Sequence, residues 1–129
     1  MNRTIFITGI VMGVLGVALG AFGAHGLEKL VDADAVNTFE TGVRYQMYHA
    51  LFLLILGGAR QISQENKKWI YYFIVAGIVM FSFSIYFLAA NDLTQFDFKT
   101  IGFVTPIGGV LLILGWIVAG YWVFKSVGE

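Results

Sequence analysis

The chain has no cysteine, a single proline, two histidines and only 12% charged residues among its 129. Each shortage removes a class of chemistry. Without cysteine there is no disulfide framework, thiolate metal site or cysteine nucleophile. With His25 and His49 as the only imidazoles, a dedicated metal centre would need carboxylates as well. Eight basic residues balance eight acidic ones to a formal net charge of zero, and no basic tract interleaved with aromatics points to nucleic acid. No cofactor is expected.

What is abundant is apolar. A hydrophobic content of 58% and a mean hydropathy of +0.79 lie well outside the range of ordinary soluble domains and predict an integral membrane protein. The length accommodates about four spans of roughly 20 residues with short loops. A single transmembrane domain over residues 1–129 is the natural reading.

Residues 4–24 contain no charge and suffice for a first span. Their basic start, apolar run and small residues near Ala21-Phe22-Gly23 also resemble a secretory signal peptide. A retained span is the stronger expectation, because Gly9, Gly13, Gly16, Gly20 and Gly23 recur at alternating steps of four and three. That repeat predicts a continuous glycine seam, or glycine zipper, on which a neighbouring backbone closes in.

Residues 27–36 mix Leu27, Leu30, Val31 and Val36 with Glu28, Lys29, Asp32 and Asp34, an interfacial composition. Asp32 is a candidate N-cap and Asp34 complements the helix dipole, so a second helix is predicted over 33–61. It would be on the order of 40 Å long against a core of roughly 30 Å, and its first turns must stand in water or tilt. After a polar connection, Trp69, Tyr71 and Tyr72 form an aromatic belt at the start of a third span over 68–90. A fourth is predicted over 106–125, with Thr105 as N-cap and Pro106 at the first helical position. Gly108, Gly109 and Gly115 offer close packing there, while Trp116, Tyr121 and Trp122 include candidates for the opposite aromatic belt.

The chain is organised around the second helix. On a helix Glu40, Arg44 and Tyr48 share one edge, Tyr45 and His49 the next and Gln46 a third. That polar arc is too wide to face lipid, so other helices or water must cover it. Arg3, Arg60, Lys67, Lys68 and Lys125 on one side outnumber Lys29, Lys99 and Arg44 on the other, which puts both termini in the cytoplasm. With this topology Arg44, Tyr45, Gln46, His49, Ser82, Ser84, Tyr86, Thr105 and His25 gather in the outer half.

Three runs carry a resemblance: Gly20-Ala21-Phe22-Gly23-Ala24-His25-Gly26-Leu27, then Thr41-Gly42-Val43-Arg44-Tyr45-Gln46-Met47-Tyr48-His49-Ala50-Leu51, and Thr105-Pro106-Ile107-Gly108-Gly109 with Leu114-Gly115-Trp116. Together they resemble the YgdD/YwdK family of small four-helix bacterial inner-membrane proteins of unknown function, over nearly the whole chain. The resemblance implies a fold and a location, and no activity or ligand. The third helix departs from the family pattern. Phe81-Ser82-Phe83-Ser84-Ile85-Tyr86 stands where the family commonly has Phe-Ser-Gly-Ser-Leu-Tyr, so Phe83 replaces a glycine that would permit close backbone approach.

Each polar residue has a functional and a structural reading. Arg44 either binds an anionic group or clamps to Glu40 one turn earlier. His49 either relays protons or is neutral and bonded to a neighbouring helix. His25 reads as interfacial, and Ser82, Ser84 and Tyr86 as interhelical partners. His49 with Glu40 is too loose a constellation for a serine hydrolase. The sequence thus predicts an all-α, four-span bundle of the plasma membrane with an outward-opening polar pocket, built from Arg44, Tyr45, Gln46, Tyr48, His49, His25, Glu40, Ser82, Tyr86 and Thr105. The expected role is non-enzymatic binding of a membrane lipid or a partner helix, as a possible homo-oligomer or with a partner membrane protein. A small oligomeric transporter or channel is the alternative, against which Ala50 to Ala59 offers no polar side chain on the inner half of the route.

Overall fold

A computed structural model describes residues 2–128, whose regular structure is entirely helical. The long helices are α1 (Arg3–His25), α2 (Ala33–Gly58), α3 (Gln64–Ala89) and α4 (Val104–Val127). Short 3-10 turns at Leu27–Lys29, Asn91–Leu93 and Phe98–Ile101 join them. Three segments are long and apolar enough to cross a membrane: Arg3–Lys29, Gln64–Ala89 and Phe98–Val127. The second helix, with Glu40 and Arg44 in its first half, is not among them.

Local chemistry sets the helix starts. The side chains of Asn2, Asp32 and Ser63 accept from the N–H groups of Ile5, Ala35 and Asn66, satisfying donors that a helix start leaves unpaired. The Ser63 cap starts α3 at Gln64, four residues before the predicted 68. Extended backbone at Ala59 ends α2 at Gly58, short of 61. Thr105 is not the N-cap of α4. Phe103 is already helical in backbone (φ −64°, ψ −17°) and gives no side-chain cap, so Thr105 falls within the first turn. There its hydroxyl lies 2.6 Å from that of Ser84. Pro106 remains in the first turn, where a missing N–H leaves no intrahelical bond unmade.

The bundle is two antiparallel hairpins, α1 with α2 and α3 with α4. A Cβ on Gly9 would lie 2.9 Å from the Ala50 carbonyl oxygen, and one on Gly23 would lie 2.9 Å from the Phe39 ring. A Cβ on Gly16 would run into the Met47 sulfur. From α2, Gly57 faces the Phe6 backbone in the same manner, at 3.1 Å. Contacts therefore descend one helix as they ascend the other. The predicted five-glycine seam needs correction, because Gly13 has nothing within 4 Å and Gly20 makes an ordinary 3.4 Å contact. The close approach repeats every seven residues, at 9, 16 and 23, and its occupant is α2 of the same chain.

In the second hairpin a Cβ on Gly108 would lie 2.6 Å from the Met80 carbonyl carbon, and Gly115 and Gly77 receive Ile74 and Leu112. Gly109 makes only an ordinary contact with Phe81. Opposite Gly108, Val79–Phe83 forms a single π turn within α3. The Ser84 hydroxyl returns to the Met80 and Phe81 carbonyls, which the wider turn displaces from regular α pairing. Close approach here comes from Gly42 and Gly108 on the neighbouring helices, so a bulky Phe83 is tolerated.

Ile5, Leu53, Leu56, Ile62, Ile70, Ile74, Ile78 and Leu112 form the buried centre. Lipid tails are as apolar as these side chains, so it is dense packing that favours the assembled state over separated helices. One end carries an unanticipated knot. Lys67 is 1% exposed, and its Nζ donates to the Gly57 carbonyl at 3.2 Å, while the same oxygen accepts the Asn2 N–H at 2.7 Å. The ammonium thus lies at the C-terminus of α2, where the helix dipole favours a cation.

Candidate functional site

Two members of the polar stripe of α2, Gln46 and His49, join it to the other helices. Gln46 is fully buried. Its Nε2 donates to the Met12 carbonyl on α1 at 2.9 Å, and its Oε1 accepts from the Tyr86 hydroxyl on α3 at 2.6 Å. A carbonyl can only accept, which fixes the orientation of the amide. One turn earlier, the buried Ser82 donates to the Gly42 carbonyl at 2.8 Å.

His49 completes the set toward α4. Its Nδ1 lies 2.6 Å from the Tyr45 carbonyl, and its Nε2 accepts from Trp116 Nε1 at 3.0 Å. An indole N–H can only donate, so the two partners together select the neutral imidazole with the proton on Nδ1. Among the described residues no buried side-chain nitrogen or oxygen lacks a partner.

Gln46, Ser82 and Tyr86 are therefore brought together by bonds between helices, and His49 is joined separately to Trp116 of α4. Of the expected pocket lining, Gln46, Ser82 and Tyr86 are taken up by bonds between helices, and Tyr45 and His49 line a groove. The remaining candidates stay outside. Arg44 and His25 are exposed and Glu40 is half-buried, and no hydrogen bond among the described residues clamps Arg44 to Glu40. Tyr45 and Tyr48 are 41% and 52% exposed, meeting each other edge to face. Thr105 bonds Ser84, away from Gln46.

Two grooves lie between α2 and α4, on either side of a link made by Trp116. Its indole stacks edge to face on Phe52 with centroids 4.4 Å apart and bonds His49. On one side of this bridge a groove of about 280 Å³ is lined by Tyr45, His49, Phe81, Gly109, Leu112, Ile113 and Trp116. On the other a groove of about 470 Å³ runs along Phe52, Ile55, Leu56, Ala59, Gln61, Ile62, Trp116, Ala119, Gly120 and Val123. Ile55 and Trp116 are 73% and 52% exposed, so the larger groove opens sideways from the bundle. In the sequence Trp116 is one of three candidates for an aromatic belt. Its placement opposite His49 in the middle of α2 was the missed signal. Trp122 shares a pocket with Gln61 and Ser63, which puts it at the same end as Trp69 and not in an opposite belt.

The profile of the family described as "Protein of unknown function (DUF423)" matches residues 19–109. The chain belongs to this family. The matched stretch runs from the second half of α1 to the start of α4 and includes Gln46, His49, Ser82 and Tyr86, while Trp116 lies beyond it. Among individual relatives of this DUF423 chain, a UPF0382 membrane protein of Staphylococcus aureus (strain bovine RF122 / ET3-1) is 41% identical over 98% of the chain and 99% of its own length. Those of Staphylococcus saprophyticus and Staphylococcus epidermidis (strain ATCC 12228) are each 42% identical, over 95% and 90% of the chain and 98% and 91% of their own lengths. No solved structure matches the chain. The relatives' names and the apolar segments agree that this is a helical membrane protein of an uncharacterised family.

Proposed function

We infer that this DUF423 chain is a non-enzymatic, four-span protein of the plasma membrane that holds a lipid acyl chain in the groove between α2 and α4. The observation that carries this reading is the groove itself: about 470 Å³, apolar along its length and open sideways. A slot of this kind inside a bilayer must be filled, and acyl chains are the material at hand.

Three features support the rest. The glycines of α1 bring α2 alongside it from Gly9 to Gly23, so a bilayer that contains α1 contains most of α2. The sheltering of Gln46 and His49 makes that placement of α2 more tolerable. The excess of basic residues at the end carrying the termini favours a cytoplasmic location for both. The expected partner helix on the glycine seam is replaced by α2 itself. For the non-enzymatic reading, the Ser82 hydroxyl faces a carbonyl and both nitrogens of His49 are engaged, so these two are not paired as nucleophile and base. A transport route finds no support: beyond His49 the centre is filled by Leu53, Ile70, Ile74 and Ile78, each 0% exposed.

The test is photo-crosslinking in proteoliposomes with a phospholipid bearing a diazirine on one acyl chain. Crosslinks should concentrate on Ile55, Ala59, Gly120 and Val123. Gly120→Leu should deplete them without unfolding the protein, because a Cβ at Gly120 meets nothing within 4 Å. Labelling spread evenly over the lipid-facing sides of all helices, unchanged by Gly120→Leu, would overturn the reading.

A further inference from the structure

The larger groove does not end in apolar surface. At the end of the bundle that carries the termini it runs into a second cavity of about 210 Å³, and Gln61 and Ile62 line both. The second cavity is polar, with Ser63, Asn66, Lys125 and Ser126 around the Trp122 ring. Lys125 is its charged lining residue, and its Nζ lies 5.3 Å from the Trp122 ring centroid. Among the described residues no carboxylate lines it. Ser63 accepts the Asn66 N–H, which leaves its hydroxyl proton available, whereas Ser126 donates to the Val123 carbonyl at 2.8 Å.

Resting on the groove reading, we propose that the two cavities form one site for an anionic glycerophospholipid, with its phosphate beside Lys125, Ser63 and Asn66 and an acyl chain lying toward Trp116. Length supports the match. From Lys125 to Trp116 is about 13 Å along α4 at 1.5 Å per residue, close to the roughly 15 Å that is half of the hydrocarbon core. A headgroup at Lys125 thus brings the chain end to the Trp116–His49 bridge near mid-bilayer. Charge supports it as well. Arg3, Arg60, Lys68 and Lys125 are exposed at this end, with Glu65 as the acid among the described residues. Glu28, Asp32, Asp34, Asp92 and Asp97 stand at the other end. A lysine near a membrane surface favours an anionic lipid by a factor of about five. Here it also has neutral donors within the same cavity and an apolar channel leading away from it.

The full-length protein in mild detergent, incubated with dioleoyl phosphatidylglycerol or dioleoyl phosphatidylcholine, would be examined by native mass spectrometry. Wild type should retain the glycerol lipid in preference to the choline lipid. Lys125→Gln should cut retention of phosphatidylglycerol about five-fold and leave phosphatidylcholine unchanged. Lys68→Gln is the control: Lys68 belongs to the same end but sits over Trp69 and Tyr72 at 5.9 and 6.0 Å, outside the cavity. Equal losses in Lys68→Gln and Lys125→Gln would reduce the effect to general surface attraction and overturn the site. Equal retention of both lipids by wild type, with both lost in Gly120→Leu, would overturn the headgroup assignment and leave the groove reading standing. No effect of Gly120→Leu on either lipid would remove the groove reading itself, and with it this proposal. Circular dichroism of each variant shows that the helices persist.

Discussion

The Gln46–Tyr86 bond offers the sharpest check on how the bundle is held together. Gln46→Met keeps most of the side-chain volume and removes the bonds to both Met12 and Tyr86. Tyr86→Phe removes only the second. Interhelical hydrogen bonds in membranes are worth about 0.6 kcal/mol on average and up to about 1.7 kcal/mol. Gln46→Met should therefore cost about 1.2 to 3.4 kcal/mol, and Tyr86→Phe about 0.6 to 1.7 kcal/mol. In Tyr86→Phe the orphaned partner, Gln46, stays fully buried, and in Gln46→Met the half-buried Tyr86 loses its acceptor. In the double variant nothing is left to lose between the two positions, so the effects should not add. The coupling energy should match one bond, about 0.6 to 1.7 kcal/mol, or roughly a three- to eighteen-fold change in the unfolding constant. Unfolding in mixed micelles with increasing dodecyl sulfate, followed by circular dichroism, measures all four corners of the cycle. Additive losses, with a coupling below about 0.3 kcal/mol, would refute the bond and with it the view that α2 is locked to α3 at this level.

Other outcomes follow from the same structure. Gly16→Leu should weaken the α1–α2 hairpin strongly, since even a Cβ meets Met47, whereas Gly13→Leu should be tolerated; the same denaturation assay ranks them. Nitrogen-15 NMR of ring-labelled histidine should show His49 protonated on Nδ1 alone, and Trp116→Phe should shift the Nε2 resonance by removing its donor. Lys67→Met should cost about 1 to 2 kcal/mol by losing the cation at the end of α2. Lys67→Glu should cost more than about 3 kcal/mol, because it buries an unpaired carboxylate against a carbonyl.

What could be read in advance was what the chain fixes locally. Asp32 caps α2 as foreseen, because a cap needs only the side chain and the N–H three residues on. Gln46, Ser82 and Tyr86 declared themselves as polar groups inside an apolar chain, and their mutual proximity followed from alternating span directions. Their partners did not declare themselves, since the Met12 and Gly42 carbonyls carry no side-chain signature. Polar residues at one depth either surround water or satisfy each other, and side-chain identity does not decide between the two: Gln46, Ser82 and Tyr86 bond across helices, while Tyr45 and His49 line a groove. Lys67 reads in the sequence as one of the basic residues that set orientation; its burial follows from the Ser63 cap, which starts α3 early enough to draw the lysine into the helix. The glycine pattern was legible as small residues but not as a face, since only every second one of the five meets α2 closely.

Division into α1–α2 and α3–α4 has a consequence for assembly. Each pair carries its own close-packed glycine contacts, while Gln46–Tyr86, Ser82–Gly42 and Trp116–His49 are links between the pairs. The few residues between Gly58 and Gln64 tether the pairs, besides setting Ile62 in the core and Ser63 as the cap of α3. Two separately translated halves, parted near Arg60, should find one another in the bilayer and restore the intact molecule.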